Sequence, residues 1–362
     1  MENTAYKNNS ADGSATTQEK PAEAVRAGQI KARKKSTARF LKVLMYGVLI
    51  FWALVNLFPM YWMFTFSLKD NPQIFGLNPV GLPTPWNKPQ EWHWENYTDV
   101  IAPKGFGFTE KEQKKVDTYI QKIKTAIGER DKKEFDKNWN NLMKMYFSKM
   151  PMGFYFFNSI FVTVMVILLV IIAALMATFG MTRIKWRFSS AMNSFLMLGI
   201  TIPIHASILP VFYTLKTYNM LNKYSTLIIP YAAFSLAMAI LICTGFMNDI
   251  PKELDESARI DGCGYFGTFF KIICPLMKSA LATIAIYTFL QCWNELMFAN
   301  VLISNSMRKT LPIGIQELHG QHLTNWGPIG AALVVATFPT LIAYVIMSKN
   351  IQDSFIAGAI KG

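Results

Sequence analysis

Between two long apolar runs lies the stretch ESARIDGCGYFGTFFKIICP, Glu256–Pro275. Its carboxylates, small residues, glycines and closing proline do not form a nucleophile–base pair. They suit mechanical work. Acids early in a helix are favoured by its positive end, glycines permit a sharp turn, and small side chains let another backbone approach closely. A second set of residues could handle a polar solute: Trp293 offers an aromatic face, and Asn294, Glu295, His205 and Asn193 offer hydrogen bonds within apolar surroundings. Covalent chemistry has no equivalent set. No G-x-x-x-x-G-K-[ST] loop and no G-x-S-x-G elbow occurs. The four cysteines, 243, 263, 274 and 292, have no CxxC spacing and no histidine partners, so neither a metal site nor a structural disulfide is expected.

The elements needed to hold the first set are legible. Pro251 can open a helix, because its missing N–H has no partner to lose there, and Asp249 could help cap it. Glu253, Asp255 and Glu256 would fill the first turns, and Gly262 and Gly264 would stop the helix. A second helix, YFGTFFKIICPLMK, would lead into the next apolar run. The product is a bent projection continuous with a membrane helix, a shape suited to a lever; a solvated surface loop is the other reading of the same residues.

Of 362 residues, 16% are charged, against roughly 25% in ordinary soluble domains, and 52% are hydrophobic. The deficit is concentrated. No Asp, Glu, Lys or Arg occurs in Val43–Leu68, Met150–Thr182, Phe188–Leu215, Tyr224–Asn248 or His322–Ser348, and Ser279–Met307 is interrupted only by Glu295. A spanning helix needs about 20 apolar residues, so the expected fold is an all-α membrane protein with six transmembrane helices. The expected organisation is a disordered cytosolic tail (1–38), a first span (39–67), an extracytoplasmic segment (68–153) and a core of the remaining spans (154–362). Within that core, spans are expected near 155–180, 189–214, 225–247, 279–303 and 328–348, with the bent projection over 249–277. The net charge of +13 does not indicate nucleic acid: 21 of the 36 basic residues fall in 1–42 and 104–150, flanking spans. Basic clusters before the first span and in the RIKWR loop put both termini and Glu256–Pro275 in the cytosol. Outside the membrane, Val116, Tyr119, Ile120, Ile123 and Ile127, then Phe135, Trp139, Leu142, Met143 and Tyr146, predict two helices in a hairpin. It would be either a cap packed on the spans or a docking surface.

The pattern E-[AS]-A-x-x-D-G, with Ile ten residues after the glycine and Pro three further on, resembles the EAA loop. That loop marks the membrane subunits of ATP-binding-cassette importers served by a solute-binding protein. Glu256, Ser257, Ala258, Asp261, Gly262, Ile272 and Pro275 carry the match. Ser257 stands for the usual alanine, Cys274 for leucine and Ser279 for a second proline. FFNS (156–159), IPIHASILPVFYTLKTYNMLN, CWNELMFA and the ending FIAGAIKG resemble the sugar branch, near the smaller maltose-type permease subunit. The resemblance runs from about Phe156 to Gly362; residues 104–150 depart from it.

The resemblance implies a cell-membrane heteromer: a second permease subunit, two cytosolic ABC ATPase subunits and an extracytoplasmic sugar-binding protein, in a lipid bilayer. It implies no cofactor on this chain, with ATP and Mg on the ATPase subunits, and a translocation role rather than an enzymatic one. It also implies that Glu256 contacts the ATPase, with Gly262 as the turn. Because an exposed ion pair contributes only about 0–1 kcal/mol, docking is expected to rest on small and apolar residues, including Ala258 and Ile260. Within the spans, Glu295 is open to a gating role or a structural pairing, and Trp293 and His205 to packing. An ion-gradient transporter would call for paired intramembrane acids or bases, and a membrane enzyme for a converging constellation.

Overall fold

The computed structural model describes residues 19–76, 80–101, 110–148, 152–184, 186–318 and 326–359, and those residues are helical or irregular, without strands. The chain divides into two units, Met1–Trp62 and Met63–Gly362. Helix α1, Glu19–Ser67, crosses that boundary and begins well ahead of the expected residue 39. Its first part, rich in Glu, Ala, Lys, Arg and Gln, consists largely of strong helix formers.

In the second unit, Asn71–Ile74 is a short turn whose Asp70 side chain accepts from Gln73 N (3.0 Å). The proline-rich stretch beyond it is irregular because prolines withhold donors. Indoles tie it together: Trp92 Nε1 donates to Pro85 O (3.1 Å) and Trp94 Nε1 to Pro89 O (2.8 Å). Helix α2, Glu95–Ile101, follows. Helices α3, Glu110–Gly128, and α4, Lys132–Ser148, pack on one another around Val116, Ile123 and Leu142. Arg130 turns between them at φ 56°, and the Asp131 carboxylate accepts from Lys133 N and Glu134 N (2.9 and 3.1 Å). The face is rotated slightly from the periodicity reading: Ala126 is buried and Ile127 is exposed. The side chains of Met143 and Tyr146 lie outside the described residues.

Helices α5, Met152–Thr182, and α8, Ser225–Asp249, pack along their length. Their buried residues recur at four- and three-residue steps, Tyr155, Ser159, Val162, Val166, Val170, Ala174 on one and Leu227, Tyr231, Ser235, Ala239, Cys243, Met247 on the other. Lipid is as apolar as leucine, so such pairs are held by close contact, and small residues such as Ala174, Ala239 and Ser159 allow it.

Among the described residues, four helical stretches are long and apolar enough to cross a membrane, Arg39–Ser67, Met152–Thr182, Ser225–Asp249 and Trp326–Ile346, or six if two bent pairs each count as one. The first bent pair, Ser189–Thr201 with Ile204–Thr217, turns by 93°. It contains α6, Ser189–Met197, and α7, Ile208–Thr217. The cause is Pro203: Ile202 before it is extended (φ −76°, ψ 118°), as the residue preceding a proline tends to be. The second, Tyr265–Leu276 with Lys278–Trp293, turns by 73°. The run expected over 279–303 is broken after Trp293, leaving a short helix, Met297–Leu302.

Candidate functional site

After α8 ends at Asp249, Ile250 is extended and α9 occupies Glu253–Ile260, opening two residues beyond the expected Pro251. Its acidic first turn, Glu253, Asp255 and Glu256, matches the positive end of the helix. The far end closes with Cys263 N donating to Ala258 O (2.8 Å) and Gly262 N to Arg259 O (3.0 Å), with Gly262 at φ +79°. This is the Schellman arrangement, and the left-handed residue it needs is the glycine. Arg259 lies over the Tyr265 ring, 4.9 Å from its centroid.

The two faces of α9 differ. Asp255 and Ala258 are buried against the chain, whereas Glu256, Ser257, Asp261 and Gly262 are exposed. Ile260 is 87% exposed, with Leu254 and Phe266 also outward. Ala258 is packed inside this chain rather than presented outward, because its position three residues after Asp255 falls on the inward stripe. The second half of the elbow widens into a π turn, Phe269–Ile273, where Cys274 N reaches Phe269 O. Pro275 cannot donate to Lys271 O, which favours the widened turn. Ile272 is half-buried and Pro275 exposed.

One residue of this site was hidden in the sequence. Arg183, which reads there as a loop charge, is 4% exposed at its side chain and pairs with Asp255 Oδ2 at 2.9 Å. Its Nη2 donates to Met247 O (2.5 Å) and Ile250 O (2.7 Å). Among the described residues no group of three or more His, Cys, Asp or Glu gathers that could hold a metal ion.

The residues singled out for a solute path separate. Trp293 is buried, donates to Ala336 O (3.0 Å), stacks on Phe289 (5.5 Å, 14°) and meets Phe156 edge-on, so it packs the core. Asn294 is exposed, and with Trp293 it borders a cavity of about 390 Å³ lined also by Leu296, Leu311, Ile315 and Thr337. His205 is exposed beside the Pro203 bend. Asn193 is half-buried on α6, and its buried Oδ1 has no hydrogen-bond partner among the described residues. Tyr287 and Gln291, hydrogen-bonded to each other at 3.0 Å, border a separate cavity of about 190 Å³ at that bend, a pairing the sequence did not signal.

Glu295 is a cap. Oε1 accepts from Phe298 N (2.8 Å), Oε2 from Ala299 N (3.2 Å) and from the buried Tyr231 hydroxyl (2.5 Å). It opens the helix Met297–Leu302 where the longer run breaks. Glu295→Ala strands these donors and is expected to cost about 2–4 kcal/mol. Thermal unfolding in detergent measures it; a melting temperature equal to the parent's would remove the capping role.

Comparison with known proteins agrees with this layout. The family described as "Binding-protein-dependent transport system inner membrane component" matches residues 169–357. A sulfoquinovosyl glycerol transport system permease protein of Agrobacterium fabrum is 32% identical over 216 residues, 60% of this chain and 76% of the relative. A trehalose/maltose transport system permease protein of Thermococcus litoralis is 32% identical over 212 residues, 58% of this chain and 75% of the relative. The fold is similar, at TM-score 0.64 and 18% identity, to a chain in the crystal structure of a bacterial ABC transporter involved in the import of the acidic polysaccharide alginate, covering 86% of this chain and 96% of that one. With its helical runs, its α9 elbow and a family match over more than half its length, the chain belongs to the binding-protein-dependent transport system inner membrane components, the permease subunits of ABC importers.

Proposed function

We propose that this permease subunit forms part of the path for a sugar or oligosaccharide delivered by a solute-binding protein, and that α9 receives the motion of a partner ATPase. The observation that carries the reading is the elbow. It presents Glu256, Ser257, Asp261 and an outward Ile260 on one face. Its second half runs through a π turn into α10, Lys278–Trp293. A partner that grips α9 would tilt α10 and move the cavity beside Trp293 and Asn294, giving alternating access without nucleotide bound to this chain. The relatives' names, a sulfoquinovosyl glycerol and a trehalose/maltose permease, support a sugar as cargo. Lysine and arginine placement supports cytosolic termini and puts 68–153, with the hairpin of α3 and α4, on the opposite side. The heteromer this reading requires is a second permease subunit, two ATPase subunits holding ATP and Mg, and the binding protein. Glu295, occupied as a cap, is not available as half of an ion-coupling pair.

The test is co-purification of the tagged chain with its neighbouring gene products, followed by ATPase measurement across a sugar panel. A bound ATPase stimulated by one sugar and its binding protein is the expected result. A chain that moves solute alone down an ion gradient sinks the reading.

A further inference from the structure

Arg183 follows the last residue of α5, continues its hydrogen-bond ladder (N to Phe179 O, 2.9 Å) and reaches two other elements with one guanidinium. Nη1 holds Asp255 of α9, and Nη2 holds Met247 O and Ile250 O at the end of α8. Those two carbonyls lie at the C-terminal end of α8, where a cation is favoured, and Met247 O also accepts from Ile250 N at 3.3 Å. The planar fork meets a carboxylate and two carbonyls at once, which an ammonium group cannot reproduce. The rest of the attachment is slight. Of the α9 side chains only Asp255 and Ala258 are buried, and the link back to α8 is the short extended segment around Ile250 and Pro251.

We propose that Arg183 is the positioning residue that locks α9 onto α5 and α8, so that the elbow and these two helices move as one body. The inference rests on the reading of α9 as the element gripped by the ATPase. Without the lock, force applied to α9 bends the Ile250–Lys252 link instead of tilting the helices behind it. A buried pair broken on one side leaves an uncompensated charge, so the lock is not dispensable. With it intact, the elbow carries that force on through the 73° turn that leads into α10.

The test uses the whole importer reconstituted in liposomes. Arg183→Met and Asp255→Asn are expected to hydrolyse ATP while importing about ten-fold less solute per ATP, the range of a typical coupling energy. Arg183→Lys is expected to behave like Arg183→Met, and Asp255→Glu to recover most of the ratio. A parental solute-per-ATP ratio in Arg183→Met or Asp255→Asn overturns the proposal. If Arg183→Met fails to assemble, Asp255→Asn carries the test, because it leaves both carbonyl bonds in place. A second readout needs no partner: spin labels at Ser257 and at Met176 of α5, both exposed, report the α9–α5 separation in the chain alone. The expected distribution is narrow in the parent and broad in Asp255→Asn; equal widths overturn the lock. Absence of any ATPase on purification counts instead against the importer reading, and the label distances still decide the lock.

Discussion

Replacing Gly262 by proline is expected to abolish solute uptake while leaving the chain inserted in the membrane. The residue sits at φ +79° and donates its N–H to Arg259 O at 3.0 Å. Proline is held near φ −65° and has no N–H, so it removes both the geometry and the bond that end α9. The elbow must then continue or unravel, and the exposed face of Glu256, Ser257 and Asp261 loses its orientation. Gly262→Ala makes the complementary test. A Cβ at this position meets nothing within 4 Å, so its penalty is purely conformational, about 1–2 kcal/mol for a left-handed residue. Uptake by reconstituted vesicles, measured beside ATP hydrolysis, should fall at least about 100-fold for proline and about 5- to 30-fold for alanine, following those penalties. Parental transport by the proline variant would show that the elbow does not transmit work. Glu256→Lys acts on the same face without touching the fold, because the side chain is exposed. It should weaken ATPase coupling in a salt-dependent way.

The second large effect is expected far from the elbow, at Gly327→Ala. Here the added Cβ would lie 2.4 Å from Lys69 O and 2.5 Å from Asn96 Nδ2. Asn96 is buried and donates to Ser67 O (2.9 Å) and Lys69 O (3.2 Å), satisfying carbonyls at the end of α1. The opening turn of the last long helix, α11, Trp326–Ala359, is thus pressed onto that hydrogen-bonded corner. Backbone atoms cannot swing aside as a flexible side chain can. Overpacking of about 1–3 kcal/mol adds to the loss of buried hydrogen bonds of similar size, so a total of about 2–5 kcal/mol is expected. Thermal unfolding in detergent and proteolysis across 68–101 measure it. Gly180→Ala is the matched control: it is a helical glycine with nothing within 4 Å of its Cβ, and it should be neutral or stabilising by up to about 1 kcal/mol. Equal melting of both variants would refute the packing argument.

Much of the elbow was legible in advance because its rules are local. An acidic first turn, small residues and a glycine able to take positive φ are properties of single positions, and Gly262 turns where the pattern requires. The α3–α4 hairpin was legible for the same reason, through apolar spacing at Val116, Ile123 and Leu142. Local rules failed where two features compete. Hydropathy alone runs straight through Pro203 and through 294–296, yet the chain bends at the first and breaks at the second. A proline and a capping carboxylate outweigh the apolar run in which each sits.

Hydropathy, spaced glycines and the EAA-like pattern were enough by themselves to determine a helical membrane permease and the location of its elbow. The tertiary structure decided what individual polar groups do. Arg183 reads as a loop charge until Asp255, 72 residues away, is packed against it. Glu295 reads as an isolated intramembrane acid until Tyr231, 64 residues away, donates to it. Ala258 reads as a docking residue until α9 is laid down with that side inward. Spacing along the chain sets periodicity and turns, but the partner of a buried polar group is chosen by which helices pack together, and that choice follows from the whole set of long-range contacts.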